Sequence, residues 1–335
     1  MIRIPKSNGR LRVIHAPCPE LKEKQRAYLE NEYRTGIGPG PYAKGFVLGR
    51  GILDHALPHV GKKYVVEVDI KDFFHSVRRE GVAKAWVMEK LLDSELNSRG
   101  FPISRFDWKK AVPPLGLMDL AFIEKKGGSF LPQGSPLSPY LANLALKGAD
   151  FKIARLLKNK FAPGDRASYT RYADNLVLSA DSKKVIPIAR HAVQRILESL
   201  GFCVNVAKFR VMRKSASQRI CGVVVNEKPS IPRSRRREIR GRVENLFKDA
   251  LHGKAVDPKE LASVEGLLSQ GGYIAPGWAR KFSEKMSFVR LHVRMMKKSA
   301  ERVPGASPVG IATHSTSGEG GGTSPREVLP FQKDG

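Results

Sequence analysis

The chain is short of acid. Its 335 residues hold 32 Asp and Glu against 59 Lys and Arg, a formal net charge of +27 at pH 7. A protein this basic repels itself unless a polyanion compensates, so nucleic acid is the expected partner. Cysteine is scarce as well. Cys18, Cys203 and Cys221 are odd in number, far apart and in no Cys-x-x-Cys arrangement, which argues against a disulfide scaffold or a zinc site and fits a reducing cytosol. Long apolar runs are missing: none nears the roughly eighteen residues that a membrane span needs. Met1-Ile2-Arg3-Ile4-Pro5-Lys6 carries no apolar signal region. The expectation is a cytoplasmic protein that faces nucleic acid and no membrane. Hydrophobic residues at 41 % and charged residues at 27 % fit a globular chain, and the length allows about two domains.

The stretch Pro5-Lys6-Ser7-Asn8-Gly9-Arg10-Leu11-Arg12-Val13-Ile14 reads as a hairpin, with a Ser-Asn-Gly turn ahead of a strand of alternating polarity. Leu21 to Glu30 has helical composition, and Gly36 to Gly51 is Gly-rich and irregular. Tyr64 to Ile70 is the clearest strand, with Val66, Val68 and Ile70 on one face and Glu67 and Asp69 on the other. A helical pattern from Arg79 to Asn97 precedes a Pro/Gly-interrupted region. A further helix is expected with Ser138 as N-cap, Pro139 in its first turn and Gly148 as its stop. Tyr169 to Ala180 reads as two strands around Asp174-Asn175. Val185 to Leu200 is an amphipathic helix ended by Gly201, with short strands near Cys203–Val206 and Ile220–Val225. A hairpin flanked by helices and further strands suggests a split βαβ sheet of ferredoxin-like type. Helices at Arg235–Lys248, Pro258–Ser269 and Gly277–Met296 make a small basic module. The Gly-, Ser-, Thr- and Pro-rich tail from about Glu301 is expected to be disordered.

Singly, the polar residues of these strands are ordinary. Asp69 ends a β-branched strand, and Asp-Asn is common hairpin-turn chemistry. Together they say more. Two carboxylates delivered from separate strands of one sheet can hold two Mg²⁺ ions about 3.5–4 Å apart, the arrangement that activates a 3′-hydroxyl and stabilises a pyrophosphate leaving group. The loop Pro132-Gln133-Gly134-Ser135-Pro136-Leu137-Ser138-Pro139 sets one amide side chain beside a Gly, which suits close backbone approach to a nucleotide.

With these residues in view, the chain resembles the reverse transcriptases. Val68-Asp69-Ile70-Lys71-Asp72-Phe73-Phe74 looks like their motif A, Pro132 to Pro139 like motif B and Tyr172-Ala173-Asp174-Asn175 like motif C. Gly201-Phe202 with Asn205 and Lys208 resembles motif D. The finer resemblance is to the bacterial retron-like and related defence-associated branch. Lys44-Gly45-Phe46-Val47 fits it, and His55-Ala56-Leu57-Pro58-His59 stands close to its Asn-Ala-x-x-His element, with His in place of Asn. Ile220 to Asn226 occupies the place of the retron Val-Thr-Gly stretch without its Val-Thr, and Asn175 stands where the family usually has a second aspartate. A group II intron protein fits less well, because little chain follows Met296.

The resemblance implies an α+β right-hand polymerase. Fingers would comprise 1–60 and an insertion at 79–130, a palm with a ferredoxin-like antiparallel sheet 61–78 and 131–229, a helical basic thumb 230–300 and a disordered tail 301–335. It implies metal ligation by Asp69, the Ile70 carbonyl, Asp174 and, weakly, Asn175, with two Mg²⁺ ions and Mn²⁺ as a substitute. Lys6, Arg12, Phe74, Gln133 and Tyr172 would meet the nucleotide; Lys6 and Arg12 would grip its triphosphate, Phe74 would exclude a 2′-hydroxyl, and Lys208 would protonate pyrophosphate. Arg233, Arg235, Arg236, Arg237, Arg240 and Arg242 would track template–primer phosphates, and His55 and His59 would contact a structured RNA. The implied partners are a structured non-coding RNA, the DNA product, dNTPs and an associated defence protein, with room for an oligomer. The implied activity is RNA-templated DNA synthesis in antiphage defence. Untemplated or protein-primed synthesis, and RNA binding by a decayed polymerase site, stand as alternatives.

Overall fold

The structure is a computed structural model that describes residues 2–5, 9, 11–34, 38–93, 115–125 and 128–301. Lys6, the residues 94–114 of the expected 79–130 insertion, and the tail 302–335 lie outside the described residues. The chain opens with the expected hairpin, β1 (Ile2–Pro5) and β2 (Leu11–Ile14), paired antiparallel from Ile2 opposite Ile14 to Pro5 opposite Leu11. Next come α1 (Pro19–Arg34), α2 (Ile52–Ala56) and a 3₁₀ turn at Leu57–His59. The Asp54 carboxylate accepts from the Gly51 backbone N–H at 2.7 Å and so caps the start of α2.

The central strand β3 (Tyr64–Asp69) is followed by α3 (Phe73–Ser76), α4 (Arg79–Asp93), α5 (Leu115–Ala121) and the small hairpin of β4 (Ile123–Lys125) and β5 (Gly128–Phe130). Then α6 (Leu137–Lys160) leads into β6 (Ser168–Tyr172) and β7 (Asn175–Ala180). A helical segment follows as α7 (Val185–Pro187), a π-helical stretch Ile188–Val193 and α8 (Gln194–Glu198). β8 (Arg210–Arg213) completes a four-stranded sheet of order β6-β7-β3-β8, with every neighbouring pair antiparallel. Read along the chain this is β-α-β-β-α-β, the ferredoxin-like arrangement the sequence pattern suggested.

Both faces of β3 are covered, which the alternating pattern did not foretell. Val66, Val68 and Ile70 join Leu141, Leu144, Leu176 and Leu178 in the main core under α6. Val65 belongs to a second cluster with Val177, Met212, Ile220 and Val223. That second cluster includes β9 (Arg219–Ile220) and β10 (Val223–Val224), a short hairpin that closes over the opposite face. The last four helices are α9 (Arg233–Leu251), α10 (Pro258–Ile274), α11 (Pro276–Ala279) and α12 (Ser283–Glu301). Ile239, Val243, Val264, Met286 and Val289 give α9, α10 and α12 a core of their own, joined to the second cluster through Trp278.

Three local expectations are corrected. Gly148 does not stop α6, because Ala149, Ile153 and Leu157 continue its buried face for three more turns. Ser138 does not cap it either: the helix begins at Leu137, whose N–H meets the Ser135 hydroxyl at 3.3 Å. The strand expected near Cys203–Val206 is a single bridge between Ile70 and Val204 followed by a 3₁₀ turn, and the pairing strand is β8. The cause is the Asn205 N–H, which donates to the Asp69 carbonyl at 2.7 Å and turns the chain toward the end of β3.

Candidate active site

Asp69 is the last residue of β3 and pairs across the sheet with Asn175, the first residue of β7. Asp174 lies in the tight turn just before it, and its carbonyl accepts from the Ile70 N–H at 2.9 Å. Sheet pairing therefore fixes the two aspartates next to each other. Burial, and then the negative charge of Asp69, raise the Asp174 carboxyl above the ordinary carboxylate range. Two donors face the Asp69 carboxylate. Lys208 Nζ lies 3.0 Å from Oδ2 and Asn205 Nδ2 lies 3.3 Å from Oδ1. The Lys208 side chain is 61 % exposed, so it can swing away from Asp69 at little cost.

The aspartates open onto a cleft of about 910 Å³. Arg12 and Ile14 of β2, Lys71, Phe74, Gln133 and Gly134 line it, as do Asn205 and Lys208. Phe46 also lines it, half exposed at a positive φ of 58° and packed on Phe74 with ring centroids 6.3 Å apart. Phe73 borders the cleft as well, but most of its ring is buried in the core. Gly134 departs from the reading of a loop left bare for a nucleotide. It holds a φ of 113°, and a Cβ there would stand 2.8 Å from Ile14 Cγ2. The close approach is therefore to β2, sealed by the His15 N–H donating to the Gln133 carbonyl at 2.7 Å. Gln25 of α1 holds the same loop by accepting from the Ser135 hydroxyl at 3.0 Å.

The turn that carries Asp174 is strained, since Ala173 adopts a φ of 56°. Each face of the β6–β7 hairpin braces it. On the α6 side, the fully buried Arg171 donates to Asp150 through Nε at 2.9 Å and Nη2 at 2.7 Å, and through Nη1 to Asn143 Oδ1 at 2.8 Å and the Ala173 carbonyl at 3.1 Å. Burial opposes the guanidinium charge, and Asp150 more than offsets it, leaving the Arg171 pKa raised. Asn143 also donates to the Gly45 carbonyl at 2.9 Å. A Cβ on Gly45 would lie 2.8 Å from the Ala173 nitrogen, so only glycine lets this segment close on the turn. On the other side stand His55, His59 and Tyr172. The rings of His55 and Tyr172 lie 5.8 Å apart.

This placement corrects the RNA-contact expectation for His55 and His59. Both are wholly inaccessible, and their ring nitrogens are engaged inside the protein. Burial lowers His55 to about 4 and His59 well below the ordinary histidine value. Tyr172 packs against His55 and Phe46 and is not part of the cleft lining. Arg242 is also corrected: its guanidinium makes two 2.7 Å contacts to Glu260, pinning α9 to α10, so it is not free for phosphate. Arg233, Arg235, Arg237 and Arg240 are exposed on α9, with Arg235 paired to Glu238, and Arg236 is half-buried. The sequence reading missed Gly45, Asn143, Asp150 and Arg171. The signals were faint: Arg171 is the one charge in Ser168–Tyr172, and Gly45 lies in the Lys44-Gly45-Phe46-Val47 stretch.

Divalent metal suits this site on one observation: the sheet register sets Asp69 beside the turn that carries Asp174, and both carboxylates open to the same cleft, a pair of oxygen donors that a hard cation favours. Among the described residues no group of three or more His, Cys, Asp or Glu side chains gathers in one place. Asp69 and Asp174 are the side chains that would hold such an ion, with further oxygens supplied by backbone, water or substrate.

Residues 4–225 match the family described as reverse transcriptase (RNA-dependent DNA polymerase), and the chain belongs to that family. Among its relatives, the retron Mx65 reverse transcriptase of Myxococcus xanthus is 30 % identical over 286 residues, covering 84 % of this chain and 62 % of that one. The retron Mx162 reverse transcriptase of the same organism is 35 % identical over 265 residues, covering 73 % and 52 %. The retron Ec86 reverse transcriptase of Escherichia coli is 30 % identical over 264 residues, covering 78 % and 71 %. The chain thus spans less than two thirds of the length of either Myxococcus relative. Among solved structures, the telomerase of Candida tropicalis with a TWJ fragment of telomeric RNA superposes with a TM-score of 0.46 at 13 % identity, over 88 % of this chain and 57 % of that one. No described helix is long and apolar enough to cross a membrane.

Proposed function

We propose that this chain is an RNA-directed DNA polymerase that extends a primer 3′-hydroxyl with deoxynucleoside triphosphates, working with a structured non-coding RNA in retron-like antiphage defence. The observation that carries the reading is the juxtaposition of Asp69, at the end of β3, with Asp174, in the turn before β7, both open to the cleft. Two Mg²⁺ ions held there supply activation of the 3′-hydroxyl and neutralisation of the departing pyrophosphate. The rest falls to the protein. Arg12 reaches the triphosphate with a fork suited to phosphate oxygens. Gln133 and Phe74 border the nucleotide, Phe74 offering an aromatic face beneath the sugar where a 2′-hydroxyl would clash. Lys208, released from Asp69, donates a proton to pyrophosphate. Arg233, Arg237 and Arg240 follow the duplex phosphates, which makes binding salt-sensitive.

In this reading 61–78 and 131–229 form the palm, 1–60 and 79–130 the fingers and 230–300 the thumb. The names of the retron relatives support the choice of partner, and the charge of +27 supports a polyanion of some size. The test is primer extension by purified protein with its co-purified RNA, labelled dNTPs and Mg²⁺ or Mn²⁺, followed by product sequencing. A copy of the RNA that disappears in Asp69→Ala and Asp174→Ala is the expected result. Repetitive or untemplated product would transfer the reading to template-free synthesis. Absence of product across supplied templates and primers, with RNA still bound, would leave a binding protein.

A further inference from the structure

Phe46 stands in a backbone conformation that does not suit it. Its φ is 58°, a left-handed value that a bulky side chain rarely adopts, and the residue is 48 % exposed. Three residues on, the next turn takes a similar φ of 73°, and there glycine supplies it: nothing lies within 4 Å of where a Cβ on Gly49 would stand. Glycine would meet the first turn's backbone with less strain as well. A strained aromatic ring left half in water calls for a task outside the core.

The backbone that carries the ring is held firmly. The Lys44 N–H donates to the Arg171 carbonyl at 2.7 Å, Asn143 Nδ2 donates to the Gly45 carbonyl at 2.9 Å, and Arg50 Nη1 donates to the Ala43 carbonyl at 2.8 Å. Gly45 itself packs against the Ala173 nitrogen and the Tyr172 ring, which leaves the segment little room to shift. From this base the Phe46 ring enters the cleft and meets two others, Phe74 at 6.3 Å and Tyr172 at 6.4 Å between centroids, both tilted. Phe74 is only partly buried, and its neighbour within α3, Phe73, lies at 5.2 Å. Steric exclusion of a hydroxyl works only against a wall that does not retreat, and a partly buried ring has other side-chain rotamers to retreat into. Phe46 supplies a ring contact to Phe74 from outside α3, delivered by a segment that is itself fixed.

We propose that Phe46 determines sugar specificity as a positioning residue: it braces the Phe74 ring so that the site rejects ribonucleoside triphosphates. It acts through Phe74 and not on the sugar itself. The inference rests on the reading of Asp69 and Asp174 as a polymerase centre and of Phe74 as the face beneath the sugar.

The test is steady-state primer extension by the full chain, with each dNTP compared with its rNTP as a ratio of kcat/KM. Phe46→Ala is expected to lower the preference for dNTP about tenfold, chiefly through a lower KM for rNTP. Phe46→Tyr keeps the ring and should keep the preference. Phe74→Ala should lower it at least as far, and Phe46→Ala should add nothing further in the double variant, because the brace then has no ring to hold. Losses that add in the double variant would put Phe46 on the nucleotide itself and overturn the proposal. So would a Phe46→Ala enzyme slowed equally with dNTP and rNTP, the result expected of a ring that only covers Tyr172. If Phe46→Ala does not fold, Phe46→Gly, suited to the φ of 58°, carries the same comparison. Wild type that extends no template–primer fails the polymerase reading, and Phe74→Ala with an unchanged ratio fails the gate; either takes the inference down with it. An unchanged ratio in Phe46→Ala beside a lowered one in Phe74→Ala overturns the inference alone.

Discussion

The two faces of the β6–β7 hairpin brace one turn by opposite electrostatic means. Toward α6 the brace is ionic: Arg171 and Asp150 meet with almost no solvent contact, and Tyr169 adds its hydroxyl to Asp150 at 2.7 Å. Toward α2 the brace is neutral, with two uncharged histidines joined by hydroxyls. A buried ion pair is rigid and directional, yet removing one partner leaves a bare charge in a low-dielectric interior. A neutral chain carries less electrostatic energy per link and tolerates the loss of one link better. The difference also suits location. The neutral face lies next to the aspartate pair, where a fixed buried cation would compete with divalent metal, whereas Arg171 acts from behind the sheet.

Removing the counter-ion should give the largest effect. Asp150→Ala strands the Arg171 guanidinium, and a loss of about 3–5 kcal/mol in chemical denaturation is expected. A loss no greater than that of a neutral link would erase the contrast. Gly134→Ala comes next. It forces an L side chain into a φ of 113° and against Ile14, at a cost of roughly 1–3 kcal/mol. Because the clash separates β2 from the cleft, it should also raise KM for dNTP, read by steady-state extension. Thr170→Val removes the hydroxyl that joins His55 to His59 at nearly constant shape and should cost about 1–3 kcal/mol, less than Asp150→Ala.

Acid should act on the neutral face. His59 has a folded pKa lowered first by burial and then by His55 and Lys62. The unfolded chain therefore takes up protons that the folded one refuses, so stability is full above about pH 6.5 and is lost as pH falls below it. Melting temperatures from pH 7 to 5 should fall in wild type and fall less steeply in His59→Gln. Equal slopes would detach the loss from this ring.

The smallest effect has the opposite sign. The Asp174 carboxyl is raised in the folded state, so its ionisation costs stability, and that cost grows as pH rises through the ordinary carboxylate range toward the raised value. Asp174→Asn should therefore melt slightly higher than wild type at pH 7 in chelator, while extension is lost. The gain should vanish at acid pH. A lower melting point at pH 7 would mean that the turn needs the carboxylate for structure.

Much of this molecule was legible as pattern. The β-branched run ending in Asp69 and the two apolar strands around Asp174 identified the sheet, and their order along the chain gave its topology. Gly201, at a φ of 81°, ends its helix as expected. Gly148 misled because a glycine signals a stop only where the buried face ends, and here that face runs on. The histidines misled for a related reason. Spacing within His55-Ala56-Leu57-Pro58-His59 says nothing about Thr170 and Ser179, which lie more than a hundred residues away.

By itself the sequence determined the local elements, the basic charge and the pair of aspartates, because strand periodicity, glycine punctuation and net charge are properties of neighbouring residues. Tertiary structure alone decided which polar groups are spent inside. It buried Arg171 against Asp150, tied Arg242 to Glu260 and took His55 and His59 out of solvent. The physical reason is the same throughout: the cost of burying a polar group depends on whether a distant residue supplies its hydrogen bond, and sequence order does not record that distance.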